Sequence, residues 1–256
     1  KKLQSTIKMI KNILKKILKR NGYGILNLKN TSKKYPVEFS NFDREIFDYI
    51  MNNKLTMVSN ERLISTILST KYVLENEVDG DFVECGVWRG GNSIAMKFLI
   101  DNYKSSKKLF LYDTFEGMTK PTNEDVRITD NTDAFEKYNE LNTNTHNEWC
   151  FAPIEEVKEN FIKSGLNLEN VVFVKGPIES TLNVKKNLPK SISLLRLDTD
   201  WYESTKIGIE KLYPIISKNG LLLLDDYGHW GGAKKAVDEY FNLENHNMIK
   251  FYVDYT

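Results

Sequence analysis

Two short apolar runs, Ile192–Leu197 and 221–224, are bounded by polar turn residues and have the pattern of β-strands buried on both faces of a sheet. Between them, apolar residues recur at helical spacing over 202–216, and Lys218-Asn219-Gly220 supplies a helix stop signal. Strand, helix and strand in this order predict a βαβ unit. Its right-handed crossover brings the carboxyl ends of both strands to one edge of a parallel sheet, where ligands of open α/β sheets bind.

The same alternation of strands and helices runs through most of the chain. It predicts an α/β fold of the Rossmann-like type, with a doubly wound, mostly parallel sheet and N-terminal helical additions. A polar, aperiodic stretch at 119–147 is predicted to be a long loop, of the kind that forms a functional lid or is disordered. The remaining predicted strands are 81–87, 108–112, 171–174 and 248–254, and the remaining helices are 40–55, 59–76, 94–102, 153–164 and 231–241.

The N-terminal segment differs from the rest of the chain. Residues 1–20 place apolar residues at alternating spacings of four and three among lysines, which predicts a basic amphipathic helix. Such a helix lies on an anionic membrane surface, pairs with a partner helix or docks on its own domain, and the sequence leaves all three open. Residues 21–39 are predicted to be a linker, 40–80 helical elements near the binding edge, and 81–256 the main domain.

Composition narrows the function classes. The first twenty residues hold eight Lys or Arg and no acid, so the remainder has 28 basic against 35 acidic residues, which argues against nucleic acid as the main ligand. No stretch approaches the roughly 20 apolar residues of a membrane span. Two cysteines, Cys85 and Cys150, form no disulfide framework. We expect a cytoplasmic protein, at the inner membrane surface if residues 1–20 bind lipid, and a homo-oligomer.

Carboxylates follow both strands of the βαβ unit. Asp198 and Asp200 come after the first strand, and Asp225 and Asp226 come directly after the second. Four acids at one edge of a sheet repel one another, and a hard divalent cation such as Mg²⁺ relieves that repulsion while keeping positions for a substrate. The alternative is that these residues only end strands and cap helices.

A second group of candidate residues surrounds the first predicted strand. Glu84, Gly86, Gly90 and Gly91 lie at a turn between a strand and a helix, where glycines allow a ligand to approach the backbone. The spacing is not the dinucleotide G-x-G-x-x-G. Asp113 ends the second strand and is placed to bind two ribose hydroxyls, so the two features together predict a nucleoside-type pocket.

The motifs, in this order, resemble the macrocin O-methyltransferase family of sugar and antibiotic O-methyltransferases. The matching stretches lie within residues 82–241 and include FVECGVWRGGNS, LYDTFEGM, LLRLDTDWYEST and LLLLDDYGHWGG. The resemblance implies a class I fold dependent on S-adenosylmethionine over 81–256, and a divalent cation, usually Mg²⁺. It also implies an acceptor hydroxyl on a sugar or on a glycosylated or aromatic natural product.

The resemblance also assigns roles to individual residues. Asp200 is similar to the family's proposed general base; from its chemistry alone, His229 is the rival base. The loop from Gly176 would flank the adenine, although Pro177-Ile178 stands where the family commonly has an aromatic pair. The implied cofactor residues are Glu84, Gly86, Gly90, Ser93, Asp113, Gly176, Ile178 and Asp198, and the implied metal ligands are Asp198, Asp225 and Asp226.

Two functions of other classes compete with this one. A nucleotide-binding oxidoreductase could use the same glycine turn, although the four acids count against it. A non-catalytic, membrane-associated scaffold on the same fold would account for residues 1–20.

Overall fold

A five-stranded parallel sheet forms the centre of the protein. The computed structural model describes residues 35–243 and 250–256, and residues 41–256 form one compact unit. The order β3-β2-β1-β4-β5 reverses direction between β1 and β4, so the carboxyl ends of these two strands border the crevice in which such sheets bind ligands. The strands are β1 (Asp81–Cys85), β2 (Leu109–Asp113), β3 (Val171–Lys175), β4 (Ile192–Leu197) and β5 (Ile216–Leu224).

Helices cover both faces of the sheet, which confirms the predicted doubly wound architecture. Helices α1 to α3 pack together on one face, and α6 to α8 pack on the other. The second face contains a buried apolar cluster in which side chains of β1, β2 and β4 meet α7 and α8. The helices are α1 (Asn41–Asn52), α2 (Asn60–Glu75), α3 (Gly91–Asn102), α4 (Ala134–Glu140), α5 (Ile154–Lys163), α6 (Ile178–Thr181), α7 (Tyr202–Leu212) and α8 (Gly231–Leu243), with 3₁₀ turns at Lys185–Asn187 and Tyr213–Ile215.

The predicted helix stop at Lys218-Asn219-Gly220 is wrong. Strand β5 begins at Ile216, five residues before the predicted start, and contains this tripeptide. The pairing with β4 changes register between Ile192 and Leu194, and Asn219 has a φ of +67°. The extra residues therefore form a β-bulge in β5. Asn219-Gly220 can adopt the backbone conformation of such a bulge as well as that of a helix end.

Two further predictions of secondary structure are corrected. The stretch 119–147 was predicted to be a long loop, but it contains helix α4. The N-cap of this helix is Asp133, whose side chain accepts a hydrogen bond from the Phe135 amide at 2.8 Å. The predicted strand 248–254 is absent from its described part: residues 250–256 contain no strand. Side-chain contacts hold this tail instead, since Asp254 pairs with Arg62 at 3.1 Å and accepts from the Thr256 amide at 2.9 Å.

The 119–147 segment is fixed to the sheet edge by a buried acid. Asp125 is fully buried, and its carboxylate accepts from the amide of Tyr202 at 2.7 Å and from the amide of Thr122 at 2.6 Å. It thereby caps α7, whose own N-cap residue Trp201 makes no side-chain cap. The amide of Gly231, the first residue of α8, also donates to this segment, at the carbonyl of Val126 (2.8 Å).

The predicted helices at 40–55 and 59–76 are present as α1 and α2, and Ser59 caps α2 as expected. Residues 1–20 and most of the predicted linker 21–39 lie outside the described residues. Among the residues that the structure describes, no helix has the length and apolarity needed to cross a bilayer.

Candidate active site

The glycine turn after β1 brings that strand into contact with the residue that follows β4. Gly86 has a φ of +83°, and a Cβ placed on it would overlap the carbonyl oxygen of Asp198. Gly90, with a φ of +89°, is the N-cap of α3. Glycine is required at Gly86 for both conformation and space. The predicted cofactor turn and the predicted acid edge are therefore neighbours.

Glu84 is buried at the centre of this contact, with 1% of its surface exposed. Its Oε1 accepts a hydrogen bond from Arg196 Nη1 at 2.9 Å, and its Oε2 accepts from the hydroxyl of Ser93. Burial raises the pKa of Glu84 to about 7, although the positive charge of Arg196 opposes the shift. Ser93 thus lies behind Glu84 and orients it.

Asp113 ends β2 on the other side of the glycine turn. Its carboxylate accepts from the backbone amides of Val87 (2.6 Å), Trp88 (3.1 Å) and Phe115 (2.7 Å). Burial raises the pKa of Asp113 above its usual range, and these amides oppose that rise. The acid therefore fixes the backbone of the turn as well as facing the cavity.

The two residues predicted to flank the adenine, Gly176 and Ile178, are not part of the lining of the cavity at the sheet edge. Gly176, with a φ of +128°, donates its amide to the carbonyl of Asp113 at 2.9 Å. Ile178 is 6% exposed and belongs to the apolar cluster beneath α7. Neither residue lines the cavity at the sheet edge, because α6 begins at Ile178 and turns its side chain into the core.

A cavity of about 370 Å³ joins the glycine turn to the acids. Glu84, Gly86 and Asp113 line it together with the acids after β4 and β5. The rest of the wall comes from α4 and from loops that carry aromatic and basic side chains. That wall includes Arg127, Ala134, Lys137, Trp149, Cys150, His229, Trp230 and Tyr255.

Three acids form the cluster that could hold a cation. Carboxylate oxygens of Asp198, Asp200 and Asp226 all lie within 4.8 Å of one another. Burial, together with repulsion from the neighbouring acids, raises the pKa of Asp200 to about 8 and that of Asp226 well above its ordinary value. Buried like charges at this separation need a proton or a cation between them. We call these three residues the acid cluster.

The acid cluster differs by one member from the metal set predicted from sequence. Asp225 has both carboxylate oxygens bound by arginines, Oδ1 by Arg196 Nη2 and Oδ2 by Arg62 Nη1. Burial raises its pKa to about 6, against the opposing charges of the two arginines. Asp200 converges with Asp198 and Asp226, and Asp225 also makes a side-chain hydrogen-bond contact with Asp198, so its place among the metal ligands stays a prediction.

Both candidate bases are at this edge, in different environments. Asp200, whose φ is +57°, accepts a hydrogen bond on Oδ1 from Trp230 Nε1 at 2.9 Å, and its amide donates to Asp226 at 3.1 Å. His229 lines the cavity, but its Nδ1 is buried and has no hydrogen-bond partner among the residues that the structure describes. Burial lowers the pKa of His229, so its imidazole is neutral at physiological pH.

Comparison with known proteins gives the family. The model of the family described as Macrocin-O-methyltransferase (TylF) matches residues 10–256 of this chain. The chain belongs to the macrocin O-methyltransferase family. It is an S-adenosylmethionine-dependent O-methyltransferase, which confirms the resemblance seen in the motifs and excludes the oxidoreductase alternative as its class.

Relatives of this methyltransferase are found in Streptomyces and Micromonospora species. It is 34% identical to 8-demethyl-8-(2,3-dimethoxy-alpha-L-rhamnosyl)-tetracenomycin-C 4'-O-methyltransferase of Streptomyces olivaceus over 187 residues, which cover 72% of this chain and 67% of the relative. It is 30% identical to mycinamicin III 3''-O-methyltransferase of Micromonospora griseorubida over 188 residues, 72% of this chain and 69% of the relative. The solved structure of the O-methyltransferase NovP matches 74% of each chain, with 30% identity and a TM-score of 0.62, and confirms the class I methyltransferase fold.

Sequence reasoning missed three residues of the methyltransferase site. Arg196 interrupts the apolar run LLRLD, and a charged residue inside a buried strand is a signal that buried counter-charges lie beside it. Arg62 on α2 and Trp230 before α8 carried no such signal. Their contacts with Asp225 and Asp200 come from elements far apart in the chain.

Proposed function

We propose that this methyltransferase transfers the methyl group of S-adenosylmethionine to a hydroxyl of a sugar or sugar-bearing small molecule, with a divalent cation at the acid cluster. The observation that carries the proposal is the convergence of Asp198, Asp200 and Asp226 in a cavity that the glycine turn also lines. The methyl donor and the acceptor oxygen would meet in this cavity.

The glycine turn and its acids suit the methyl donor. Glu84 presents a carboxylate to the donor's ammonium group, and Ser93 and Arg196 hold that carboxylate in place. Gly86 lets the backbone of Asp198 pack directly against the turn, so that both residues line the same cavity. Asp113 is placed for the ribose hydroxyls, with its orientation fixed by the backbone amides of the turn. Because Ile178 is in the core, we do not assign it to the adenine.

The acid cluster suits a hard cation. All of its potential ligands are carboxylate oxygens, which is the donor set that Mg²⁺ prefers, and their separation would place an ion held by Asp198 and Asp226 beside Asp200. The raised pKa values of Asp200 and Asp226 reflect the repulsion that an ion would relieve. When bound, such an ion supplies Lewis acidity that lowers the proton affinity of an acceptor hydroxyl.

Asp200 is the proposed proton acceptor. A general base functions best when its pKa is near the operating pH, and burial and neighbouring acids raise the pKa of Asp200 above the ordinary carboxyl range in the ligand-free protein, while a bound cation would lower it again. Trp230 holds one of its oxygens, so the carboxylate keeps a fixed orientation at the cluster. We assign His229 a structural part in the cavity wall, since among the described residues its Nδ1 has no hydrogen-bond partner that would orient the imidazole as a base.

The wall beyond the acids suits a ring-shaped acceptor. Trp149 packs against Trp201 and Trp230, with centroid distances of 5.5 and 6.0 Å, and Lys137 lies 4.0 Å above the Trp149 ring. Rigid aromatic side chains beside charged groups offer both apolar contact and polar anchoring. The relative from Streptomyces olivaceus is named for a rhamnosyl-bearing acceptor, which supports a sugar as the acceptor here.

The test is methyl transfer from labelled S-adenosylmethionine to a panel of rhamnosides, nucleotide sugars and glycosylated macrolides, with Mg²⁺ or with a chelator. We expect turnover with at least one sugar acceptor, its loss on chelation, and a fall of at least about 100-fold in kcat for Asp200→Asn. His229→Gln is the matched control, and we expect a change in kcat below about tenfold. Full activity in the presence of the chelator would refute the cation. A larger fall in kcat for His229→Gln than for Asp200→Asn would assign the base to His229.

The role of residues 1–20 stays a prediction, as does a homo-oligomer. Flotation with anionic liposomes, comparing the full chain with a chain lacking residues 1–20, would test the membrane interpretation. Light scattering of the same pair would test self-association. If truncation abolishes flotation and leaves the mass in solution unchanged, residues 1–20 bind the membrane surface. If the full chain does not float and truncation converts a dimer to a monomer, residues 1–20 pair with a partner helix.

A further inference from the structure

Lys137 contacts an aromatic ring of the cavity wall rather than a neighbouring acid. It lies on α4, lines the cavity, and its Nζ is 4.0 Å from the centroid of the Trp149 ring. Asp133 stands four residues before it and Glu140 three residues after it, which are the spacings at which helical side chains form ion pairs. Among the residues that the structure describes, Lys137 nevertheless makes no ion pair with a carboxylate. Its charge is therefore free to meet a ligand.

The other two cationic side chains of the cavity lining are already neutralised. Arg127 donates two hydrogen bonds to Asp130, at 2.9 and 2.8 Å, and Arg62 binds two carboxylates. Within the described lining of this cavity, Lys137 is the one cation that lacks a carboxylate partner. An anionic group of a ligand would therefore find its counter-charge at Lys137.

A buried asparagine holds the helix of Lys137 and the loop of Trp149 together. Asn147 is 2% exposed; its Nδ2 donates to the carbonyl of Tyr138 at 2.9 Å, and its Oδ1 accepts from the amide of Trp149 at 2.9 Å. Tyr138 follows Lys137 on α4, and the Trp149 ring packs against two further tryptophans. The fold thus places the lysine over the ring before any ligand arrives, which lowers the entropy that binding costs.

Lys137 is also within electrostatic range of the acid cluster. Burial raises the pKa of the Cys150 thiol, which lines the cavity; the charges of Asp200 and Asp198 add to that rise, and the charge of Lys137 opposes it. One side chain is therefore affected both by the acids proposed to bind the acceptor hydroxyl and by the ammonium group on the wall. An acceptor held at the acid cluster is close enough for a second group of the same molecule to meet Lys137.

Phosphate is the anion that suits this position. Lysine binds phosphate as a compact point charge, and a phosphoryl group in a cavity lined by carboxylates needs such a counter-charge. In a pyranose, the anomeric position lies across the ring from the C3 and C4 hydroxyls. A phosphoryl group at the anomeric carbon can therefore meet a cation on the wall while one of these hydroxyls lies at the acid cluster.

We propose that Lys137 is a specificity-determining residue that binds an anomeric phosphoryl group of the acceptor, so that the preferred acceptor is a sugar phosphate or a nucleotide sugar rather than a neutral glycoside. The inference rests on the proposed function and narrows its acceptor. With a nucleotide sugar as acceptor, methyl transfer precedes glycosyl transfer, since glycosyl transfer is the class of reaction that consumes nucleotide sugars.

The experiment compares acceptors that share one sugar and differ at the anomeric carbon. Each sugar is offered as its methyl glycoside, its 1-phosphate and its uridine diphosphate ester, and release of S-adenosylhomocysteine gives kcat and KM. We expect kcat/KM to be at least about tenfold higher for a phosphorylated form than for the methyl glycoside, from one charge-assisted hydrogen bond. A preference for the diphosphate ester over the 1-phosphate would identify a nucleotide sugar, and equal values would identify the phosphoryl group alone; either result supports the inference.

Variants of Lys137 assign this preference to the side chain. Lys137→Gln should reduce the ratio of kcat/KM values to below about three, through KM rather than kcat, because the lost contact is made equally in the ground state and the transition state. Lys137→Arg keeps the charge and should keep most of the ratio. With S-adenosylhomocysteine and a chelator present, calorimetry should show the phosphorylated sugar bound at least about fivefold more weakly by Lys137→Gln, which separates this contact from the cation.

Lys120 provides the matched control. Its Nζ lies 5.3 Å from the centroid of the Phe135 ring, also on α4, but Lys120 is not part of the cavity lining. Lys120→Gln removes the same charge and should leave the ratio within about twofold. An equal fall in both Gln variants, or equal kcat/KM for neutral and phosphorylated forms in the unaltered chain, would overturn the inference and leave the proposed function intact. Absence of turnover with every sugar would overturn both.

Discussion

Replacing Trp230 with phenylalanine removes one hydrogen-bond donor from the acid cluster while keeping an aromatic ring at the same place. The indole Nε1 donates to Asp200 Oδ1 at 2.9 Å and is the group that lowers the pKa of this carboxyl, against burial and the charge of Asp198. A hydrogen bond to a charged group contributes about 1.5–3 kcal/mol. At 1.36 kcal/mol for each pH unit, its loss raises the pKa of Asp200 by about one to two units.

Only the ionised form of Asp200 can accept the proton, so a higher pKa of Asp200 lowers the active fraction of the enzyme at low pH. The acidic limb of the kcat/KM profile against pH should move upward by about one to two units in Trp230→Phe, and the rate on that limb should fall about 10- to 100-fold. The plateau at high pH should change much less, since the carboxylate is ionised there in both proteins. The assay is release of S-adenosylhomocysteine at limiting acceptor, from pH 5.5 to 10.

A neighbouring tryptophan provides the control. Trp201 is in the same aromatic cluster, 4.9 Å from the Trp230 ring, but its Nε1 donates to the backbone carbonyl of Thr119 at 2.9 Å. Trp201→Phe should cost stability in the way Trp230→Phe does, about 1 kcal/mol from the lost hydrogen bond, without moving the acidic limb. An unmoved limb in Trp230→Phe, or an equal movement in both variants, would refute the assignment of Asp200 as the base.

Three more outcomes are expected. Gly86→Ala should lower the free energy of unfolding by about 2–5 kcal/mol in urea denaturation, because the left-handed φ of +83° and the overlap with the Asp198 carbonyl both oppose a methyl group. Glu84→Gln should weaken S-adenosylhomocysteine about 10- to 100-fold by calorimetry, from the loss of a charge-assisted hydrogen bond; unchanged affinity would remove Glu84 from the donor site. Glu84 and Asp200 have pKa values raised to about 7 and about 8 from 4.5 and 3.8, so the folded protein holds protons that the unfolded chain has lost. The stability of the ligand-free protein should therefore fall as pH rises from about 4 to 8, and Mg²⁺ should raise the melting temperature more at pH 8 than at pH 6.

The local patterns in the sequence were sufficient for the architecture. Apolar runs ending in acids gave β4 with its observed bounds and placed the site at the carboxyl ends of the strands, because burial on both faces leaves a strand few polar positions. The cap at Ser59 and the glycines at Gly86 and Gly90 were also recognisable, since each serves a backbone conformation fixed by its immediate neighbours.

Tertiary structure alone decided how the acids divide. The sequence indicated that Asp198, Asp200, Asp225 and Asp226 meet at one edge, but nothing in their spacing shows that two arginines bind Asp225 or that Asp200 joins Asp198 and Asp226 in the acid cluster. Those contacts join residues far apart in the chain, and their strength depends on burial, which no local pattern reports. The sequence by itself therefore determined the fold and the edge where chemistry occurs, and only the folded structure decided which carboxylates converge there.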